Sequence, residues 1–351
     1  DHGARDKALN CFETGFQLSP TGPNVATTYH FAVSETGQYE RARELFEKIV
    51  SRYPDFRKGR FLLVDVLIRQ EAYRAALDQI EAVLVRFGAD SQFLETAKTI
   101  RDKVGPMTIK KGKHPSLSLC MIVKNEEKYL PRCLASLKPV VDEMIIVDTG
   151  STDTTRDIAE IFGAKVFDYE WNDDFAAARN YSLEKAFGDW ILVMDADETI
   201  AQCDHGKILD LIKKSNNDKQ AYVLTTRNYT DRQDSADYTK NTGQYSEEMS
   251  TGWVPSKKVR LFRNHQGVHF VFPVHELVDP VLAEMGVRPK ECSLPVHHYG
   301  KLDANRTSER WKLYYDIGKD KLNSQPHNEN AIKELAVQAG LLSKWEEAIR
   351  H

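Results

Sequence analysis

AARNYSLEKAFGDWILVMDADE, residues 177–198, carries the turn that decides the fold. It reads as part of a helix over Phe175–Phe187, a stop at Gly188, an apolar run from Trp190 into Asp195, and then a cluster of acids. A run without polar alternation belongs to a strand buried on both faces. The same signature lies upstream. LSLCMIV (117–123) and MIIVD (144–148) are two such runs, and Lys165–Tyr169 is a shorter one. Between them, Glu126–Lys138 places Tyr129, Leu130, Cys133, Leu134 and Leu137 at helical spacing. A further helix runs to Gly163, with Ser151 or Asp153 as its cap. Strands and helices alternating in this way predict an open, mostly parallel α/β sheet.

In such a sheet, ligands sit beyond the carboxyl ends of the strands. Asp148 ends the second strand, and Asp195-Ala196-Asp197-Glu198 ends the fourth. Two carboxylates near one point, with open coordination positions, suit Mg2+ or Mn2+ shared with phosphate oxygens and water. A polar turn capping the next helix is the other reading of the same residues.

The first hundred residues follow a different rule. Ala8, Ala42 and Ala76 are each 34 apart, as are Phe12 and Phe46 (with Ile80 next), Pro20 and Pro54, and Tyr39 and Tyr73. Apolar residues between them keep helical spacing: Ala42, Leu45, Phe46, Ile49, then Leu77, Ile80, Val83, Leu84. A small residue at one fixed position lets two helices approach, and the prolines stand where a helix must stop. The pattern resembles the tetratricopeptide repeat, a helix-turn-helix stacked into a solenoid. Residues 1–20 supply only the second helix of a repeat, so the natural chain is expected to begin earlier. The pattern returns in Glu329–His351, where Trp345 and Ala348 stand three apart as Tyr39 and Ala42 do. The expected domains are 1–104 (helical repeats), 105–115 (a basic, Gly/Pro-bearing linker), 116–300 (the α/β sheet) and 301–351 (a helical segment and the start of a further repeat).

Composition excludes several classes. With 351 residues there is ample chain for buried cores, and 48 Lys+Arg against 52 Asp+Glu leave −4, which argues against a nucleic-acid binder. No run approaches the roughly 18 apolar residues of a membrane span. Cys11, Cys120, Cys133, Cys203 and Cys292 are scattered and form no CxxC pair, so a reducing, cytoplasmic setting is expected. The tract IIVDTGST also matches the active-site turn of aspartic proteases, but that chemistry needs a second such turn and the sequence has none.

LCMIVKNEE (119–127), IIVDTGSTDTT (145–155), residues 177–198, VRLFRN (259–264), VHELV (274–278) and HHYG (297–300) together resemble family 2 glycosyltransferases of the GT-A nucleotide-diphospho-sugar transferase fold. The motifs stand in the family's order over residues 117–300. With repeats on both sides, the chain looks like a subgroup of bacterial transferases that includes enzymes modifying proteins or peptides. The resemblance implies metal-assisted transfer from a nucleotide-sugar, usually with inversion at the anomeric carbon. Carried over, the segment Lys124–Glu126 and Asp148 would hold base and ribose. Arg179 would lie near the donor, Asp195 would face the ribose or a metal-bound water, and Asp197 would bind Mn2+ or Mg2+. Lys124 departs from the family, which often has an aromatic residue there; Tyr169 or Trp171 is a substitute, though both also fit a core role.

Glu276 falls about where the family places its catalytic carboxylate, and can take a proton from the acceptor. A His275–Glu276 pair that only fixes a loop is the alternative. His298 matches the family's late metal-binding histidine and is favoured over His275 and His297. Arg260 and Arg263 alternate along a strand-like segment, and either can touch diphosphate or acceptor, or make surface ion pairs. Residues 228–256 are polar without sustained periodicity and read as a long acceptor-binding loop, with Trp253 as its sugar-stacking residue. Asn305–Leu322 reads as a helix packed on the transferase domain.

The expected function is therefore a metal-dependent inverting glycosyltransferase using a UDP-sugar by preference, with a protein or peptide acceptor held by the repeats. A lipopolysaccharide or other glycan-precursor acceptor is one alternative, and a catalytically inactive repeat-based scaffold another. A homo-oligomer is compatible with either.

Overall fold

The computed structural model describes residues 2–109, 115–214, 219–324 and 329–346. Residues 110–114 of the expected linker, and Ala348 of the expected last repeat, lie outside them. The chain divides into two compact units: 1–106 with 156–164, and 107–155 with 165–351.

The first unit is built on six helices: α1 (His2–Leu18), α2 (Val25–Thr36), α3 (Tyr39–Arg52), α4 (Arg57–Arg69), α5 (Tyr73–Phe87) and α6 (Ser91–Val104). Each packs against the next in chain order. The 34-residue register explains the core. Ala42 and Ala76 are fully buried, as are Phe46 and Ile80. Tyr39 and Tyr73 open α3 and α5, while α1 and α3 end two residues before Pro20 and Pro54. Phe46 sits in an aromatic cluster, its ring 4.9 Å from Phe16 and 5.9 Å from Tyr29. On α1 the register holds in sequence but not in burial. Ala8 and Phe12 are exposed, and Leu9 and Phe16 make the contact instead. Among the described residues no helix stands ahead of α1 to cover its Ala8–Phe12 side.

The second unit, with α8 counted in chain order, runs β1 (Leu117–Val123), α7 (Leu130–Leu137), β2 (Glu143–Asp148), α8 (Thr155–Ile161), β3 (Lys165–Asp168), α9 (Phe175–Glu184), β4 (Trp190–Val193), β5 (Glu198–Thr199), α10 (His205–Lys214), β6 (Ala221–Thr230), β7 (Thr239–Lys240), β8 (Gly252–Arg263), α11 (Asp279–Glu284), β9 (Lys290–His298), α12 (Ala304–Ser324) and α13 (Glu329–Leu341). Among the described residues the sheet order is β3-β2-β1-β4-β8-β6-β9-β5, with β7 beside β8. The first four strands are parallel, as their apolar runs predict. The expectation of a mostly parallel sheet fails beyond β4. There β4–β8, β8–β6 and β9–β5 pair antiparallel, and only β6–β9 is parallel. The sheet is mixed.

The expected loop at 228–256 is also shorter than its polarity suggests. Asn228–Thr230 pair with Gly252–Val254 as the far ends of the long β6–β8 ladder. Inward positions on β6 carry polar side chains, Thr226 and Asn228, both buried. A polar residue facing inward hides the period-2 signal on which a strand assignment rests.

Helix α9 stops short of Phe187 because the following turn is anchored. Buried Glu143 accepts from the backbone N–H of Phe187 (2.6 Å) and Gly188 (3.1 Å) and from Ser118 Oγ (2.6 Å). A Cβ at Gly188 would collide with Ser118 Oγ, so the close approach requires glycine. Helix α12 reaches back to the sheet domain through Tyr314, whose ring is 5.6 Å from Phe175 and 5.7 Å from His275. Trp345 is exposed.

Phe46→Ala is expected to lower stability by about 3–5 kcal/mol, the usual cost of deleting a fully buried aromatic ring. Urea denaturation followed by far-UV circular dichroism measures it; a change below about 1 kcal/mol would mean the aromatic cluster does not hold the stack.

Candidate active site

Beyond β1 and β2, two loops are laced together. Asn125 adopts a left-handed conformation (φ 55°). Its backbone N–H donates to Ser151 Oγ (2.9 Å), and its Oδ1 accepts from the Thr152 N–H (2.8 Å). Glu126 N–H donates to Thr155 Oγ1 (2.6 Å), and Glu127 Oε2 accepts from the Thr154 hydroxyl (2.8 Å). With the N–H groups of 125–127 taken by the neighbouring loop and Asn125 left-handed, α7 begins at Leu130 rather than Glu126. Asp148 is buried, its Oδ1 accepting from the N–H groups of Gly150 (3.2 Å) and Ser151 (2.9 Å). Ser151 serves Asn125, and Asp153 is the residue at the head of α8, accepting from the Thr155 N–H (2.9 Å). Lys124 stands exposed on this rim.

At the end of β4 the acids are sorted by their partners. Glu198 is buried and accepts from Arg260 Nη2 (2.6 Å) and from the Asp195 N–H (2.9 Å). Arg260 is itself buried and also donates to Val193 O (3.2 Å). This corrects the surface ion pair expected for Arg260: it is buried and paired with Glu198 inside the acidic turn. Arg263 lies over Trp190, 4.7 Å from the ring centroid.

Arg179, on α9, bridges two of the expected site residues. Its Nη2 donates to Asp195 Oδ1 and its Nε to Glu276 Oε1, both at 2.7 Å. Burial raises the Asp195 carboxyl, but Arg179, then Arg260 and Lys258, overcome this and hold it well below the usual carboxylate range. Burial disfavours the Arg179 charge, yet Asp195 and Glu276 together raise its pKa. Burial pushes Glu198 up, with Arg260 opposing in part. The neighbouring Asn180 clamps the same segment that carries Glu276: its Nδ2 donates to Phe270 O (2.9 Å) and its Oδ1 accepts from the Phe270 N–H (2.7 Å).

Strand β5 pairs antiparallel with the end of β9, Glu198 opposite His298, and the Tyr299 N–H donates to Asp197 O (3.0 Å). This places His298 Nε2 3.3 Å from Asp197 Oδ2. The other ring nitrogen, Nδ1, is 2.8 Å from Asn228 Oδ1. His297 points elsewhere: its Nδ1 is 2.6 Å from the Tyr229 hydroxyl and its ring is buried. His275 is exposed against Tyr314, in a left-handed conformation (φ 57°).

The Asp197–His298 pair fits a divalent cation. Asp197 is buried, and a neutral His298 turns a lone pair towards its carboxylate. With that ring neutral, two acceptors lie 3.3 Å apart, an arrangement relieved by a cation or a proton between them. A Cβ at Gly300 would collide with Asp197 Oδ2 and lie 2.9 Å from His298 Nε2, so glycine keeps this cradle open. Among the described residues no group of three or more His, Cys, Asp or Glu side chains converges as a metal site.

Of the remaining expected residues, Trp253 joins neither cluster. It is half-buried on β8 and covered by Arg227, 4.8 Å from its ring. Tyr169 and Trp171 are half-buried against Tyr181 and Phe175. Sequence reasoning missed Asn228, Gly300 and the Glu198–Arg260 pair. Glycine after HHY was the available signal for the cradle.

Residues 118–276 match the family model described as Glycosyl transferase family 2. A TPR repeat-containing protein of Synechococcus elongatus is 39% identical over 207 residues, 56% of this chain and 46% of that one. The SPbeta prophage-derived glycosyltransferase SunS of Bacillus subtilis is 31% identical over 243 residues, 68% of this chain and 53% of that one. The chain thus spans about half the length of the curated relatives it matches. Among solved structures, S. aureus TarS 1–349 in complex with UDP-GlcNAc is 19% identical, with a TM-score of 0.40 and coverage of 64% of this chain and 71% of that one. No helix among the described residues is long and apolar enough to cross a membrane.

Burial lowers the His297 pKa to about 4. At pH 7 the ring is neutral in both folded and unfolded chains. Below the unfolded value of about 6.5 the unfolded chain binds the proton first, so stability falls as pH drops from 6.5 to 4 and levels off below. The loss amounts to roughly 3 kcal/mol at about 1.4 kcal/mol per pH unit. Urea midpoints between pH 7 and 4 are expected to slope less in His297→Gln; an unchanged slope would assign the effect to other groups.

Proposed function

We propose that this chain, whose residues 118–276 form a family 2 glycosyl transferase domain, is a metal-dependent inverting glycosyltransferase that moves a sugar from a nucleotide-diphospho-sugar, by preference a UDP-sugar, to a protein or peptide acceptor. The observation that carries the reading is the open Asp197–His298 cradle on the same acidic turn whose Asp195 is tied through Arg179 to Glu276.

Asp197 and His298 would hold Mn2+ or Mg2+, which supplies positive charge to a departing diphosphate when bound. Lys124, Glu126 and Asp148 line the laced loops and would receive base and ribose. Asp195, kept ionised by Arg179, would face the ribose or a metal-bound water. Glu276 is the base. One of its oxygens, Oε1, is held by Arg179, and Oε2 has no hydrogen-bond partner among the described residues. Oε2 takes the acceptor's proton as the acceptor atom bonds to the anomeric carbon and the bond from that carbon to the phosphate oxygen breaks. Arg179 acts here as much on Glu276 as on the donor. The helical repeats would hold the acceptor and raise its local concentration. Trp253 and the 231–251 segment would contact it.

A thermal-shift screen of UDP-, GDP- and dTDP-sugars with Mn2+ tests the donor, because a ligand of the folded state raises Tm. A shift with at least one donor is expected, and Asp197→Ala is expected to abolish its metal-dependent part. A wild type unmoved by every donor would defeat the reading. Glu276→Gln is expected to keep the shift and lose at least about 100-fold in transfer rate. Equal rates would remove Glu276 from the reaction.

A further inference from the structure

We propose that Asn228 is the positioning residue of the cation site: it presents His298 Nε2 to a divalent ion beside Asp197 and so favours Mn2+ over Mg2+. The inference rests on the proposed role of the Asp197–His298 pair and adds a residue that neither the motifs nor the family match singles out.

The hydrogen bonds of one amide fix its orientation; its Nδ2 also lies 3.5 Å from Thr226 O. Asn228 sits near the end of β6, buried between β8 and β9. Towards β8, its Nδ2 donates to Val254 O and Ser256 Oγ, each at 3.0 Å. Val254 O can only accept, so the nitrogen of the amide must face β8. The oxygen then faces β9, where Asn228 is paired in register with His298. Oδ1 can only accept, so His298 Nδ1, 2.8 Å away, carries a proton and donates it. In the neutral ring this leaves the lone pair on Nε2, aimed at Asp197 Oδ2. The tautomer is assigned by the network, and the network is anchored in the backbone of β8. An outer-shell acceptor of this kind fixes ring orientation and raises ligand basicity. Mg2+ prefers oxygen and keeps its waters, so a fixed imidazole nitrogen helps it less than it helps Mn2+.

The test is Mn2+ binding by the full chain, read from the electron paramagnetic resonance signal of the free ion, with the metal alone and with UDP, and Mg2+ affinity from competition. Asn228→Leu keeps the branched skeleton of the side chain and removes the acceptor. Its Kd for Mn2+ is expected to rise about 10–100-fold, with Mg2+ changed by less than about threefold. Asn228→Asp restores an acceptor to Nδ1 and is expected to stay within about threefold of wild type for Mn2+. Wild-type Mn2+ affinity in Asn228→Leu, equal losses of Mn2+ and Mg2+, or no Mn2+ binding by the wild type would each overturn the proposal. Should Asn228→Leu not fold, Ser256→Ala is read in its place. It removes one of the two groups orienting the amide, and a rise of about two- to fivefold is expected; no rise counts against the proposal. Mn2+ binding that depends on Asn228, without a shift from any nucleotide-sugar, would keep the positioning role and defeat the transfer reading.

Discussion

The pairing of a two-residue strand, β5, with the last two residues of β9 is the constraint on which the site depends. Glu198 lies opposite His298 and Thr199 opposite His297, joining segments a hundred residues apart. Strand side chains alternate faces, so a slip of one residue would exchange His298 for His297. His297 has the residue type but the wrong environment. Its face of the ladder meets Tyr229 and Tyr245, with ring centroids 6.0 and 4.9 Å away. His298, on the other face, meets an amide oxygen and a carboxylate. Which histidine faces Asp197 is thus a matter of register rather than of local sequence.

Around that ladder charged side chains are packed together. Arg179 and Arg260 stand among Asp195, Glu198 and Glu276, with Asp197 beside them. Buried charges are costly to desolvate and are retained where geometry demands them. Arg260 donates to Glu198 and Val193 O, and Arg179 to Asp195 and Glu276, while Arg179 Nη1 and Arg260 Nε are buried without a hydrogen-bond partner. Asp197 adjoins the His298 imidazole and the space over Gly300.

Much of this was legible in the sequence because the parallel half of the sheet is made of unbroken apolar strands. LSLCMIV coincides with β1, and Trp190–Val193 with β4, up to its acidic end. The 34-residue period likewise gave the helical register, since Ala42, Phe46, Ala76 and Ile80 are buried. The antiparallel half resisted reading for a physical reason. Strands β6 and β8 carry polar residues inward, Asn228 bonded to Val254 O and Ser256 Oγ and Arg260 to Glu198, so hydrophobic periodicity vanishes from the stretch that holds them. Arg260 looked like a surface ion-pair residue because its buried partner, Glu198, comes from a turn 62 residues away. Helix starts were misplaced where side chains of one loop satisfied the backbone of another, as with Asn125 and Ser151.

The segment carrying Glu276 shows how such long-range bonds store conformation. Phe272 (φ 75°) and His275 (φ 57°) are both left-handed without being glycine, in a turn closed by mutual backbone bonds between Val271 and Leu277. Each such residue costs on the order of 1–3 kcal/mol and persists only where its surroundings over-determine it. Helix α9 supplies that determination from three adjoining places. The Phe175 N–H donates to Pro273 O (2.9 Å), Asn180 brackets Phe270 with a reciprocal pair, and Arg179 holds Glu276. The ARN stretch therefore has a mechanical reading beside its donor-binding one. Its arginine and asparagine fix a strained hairpin so that one oxygen of Glu276 is committed to a guanidinium and the other accepts no hydrogen bond among the described residues.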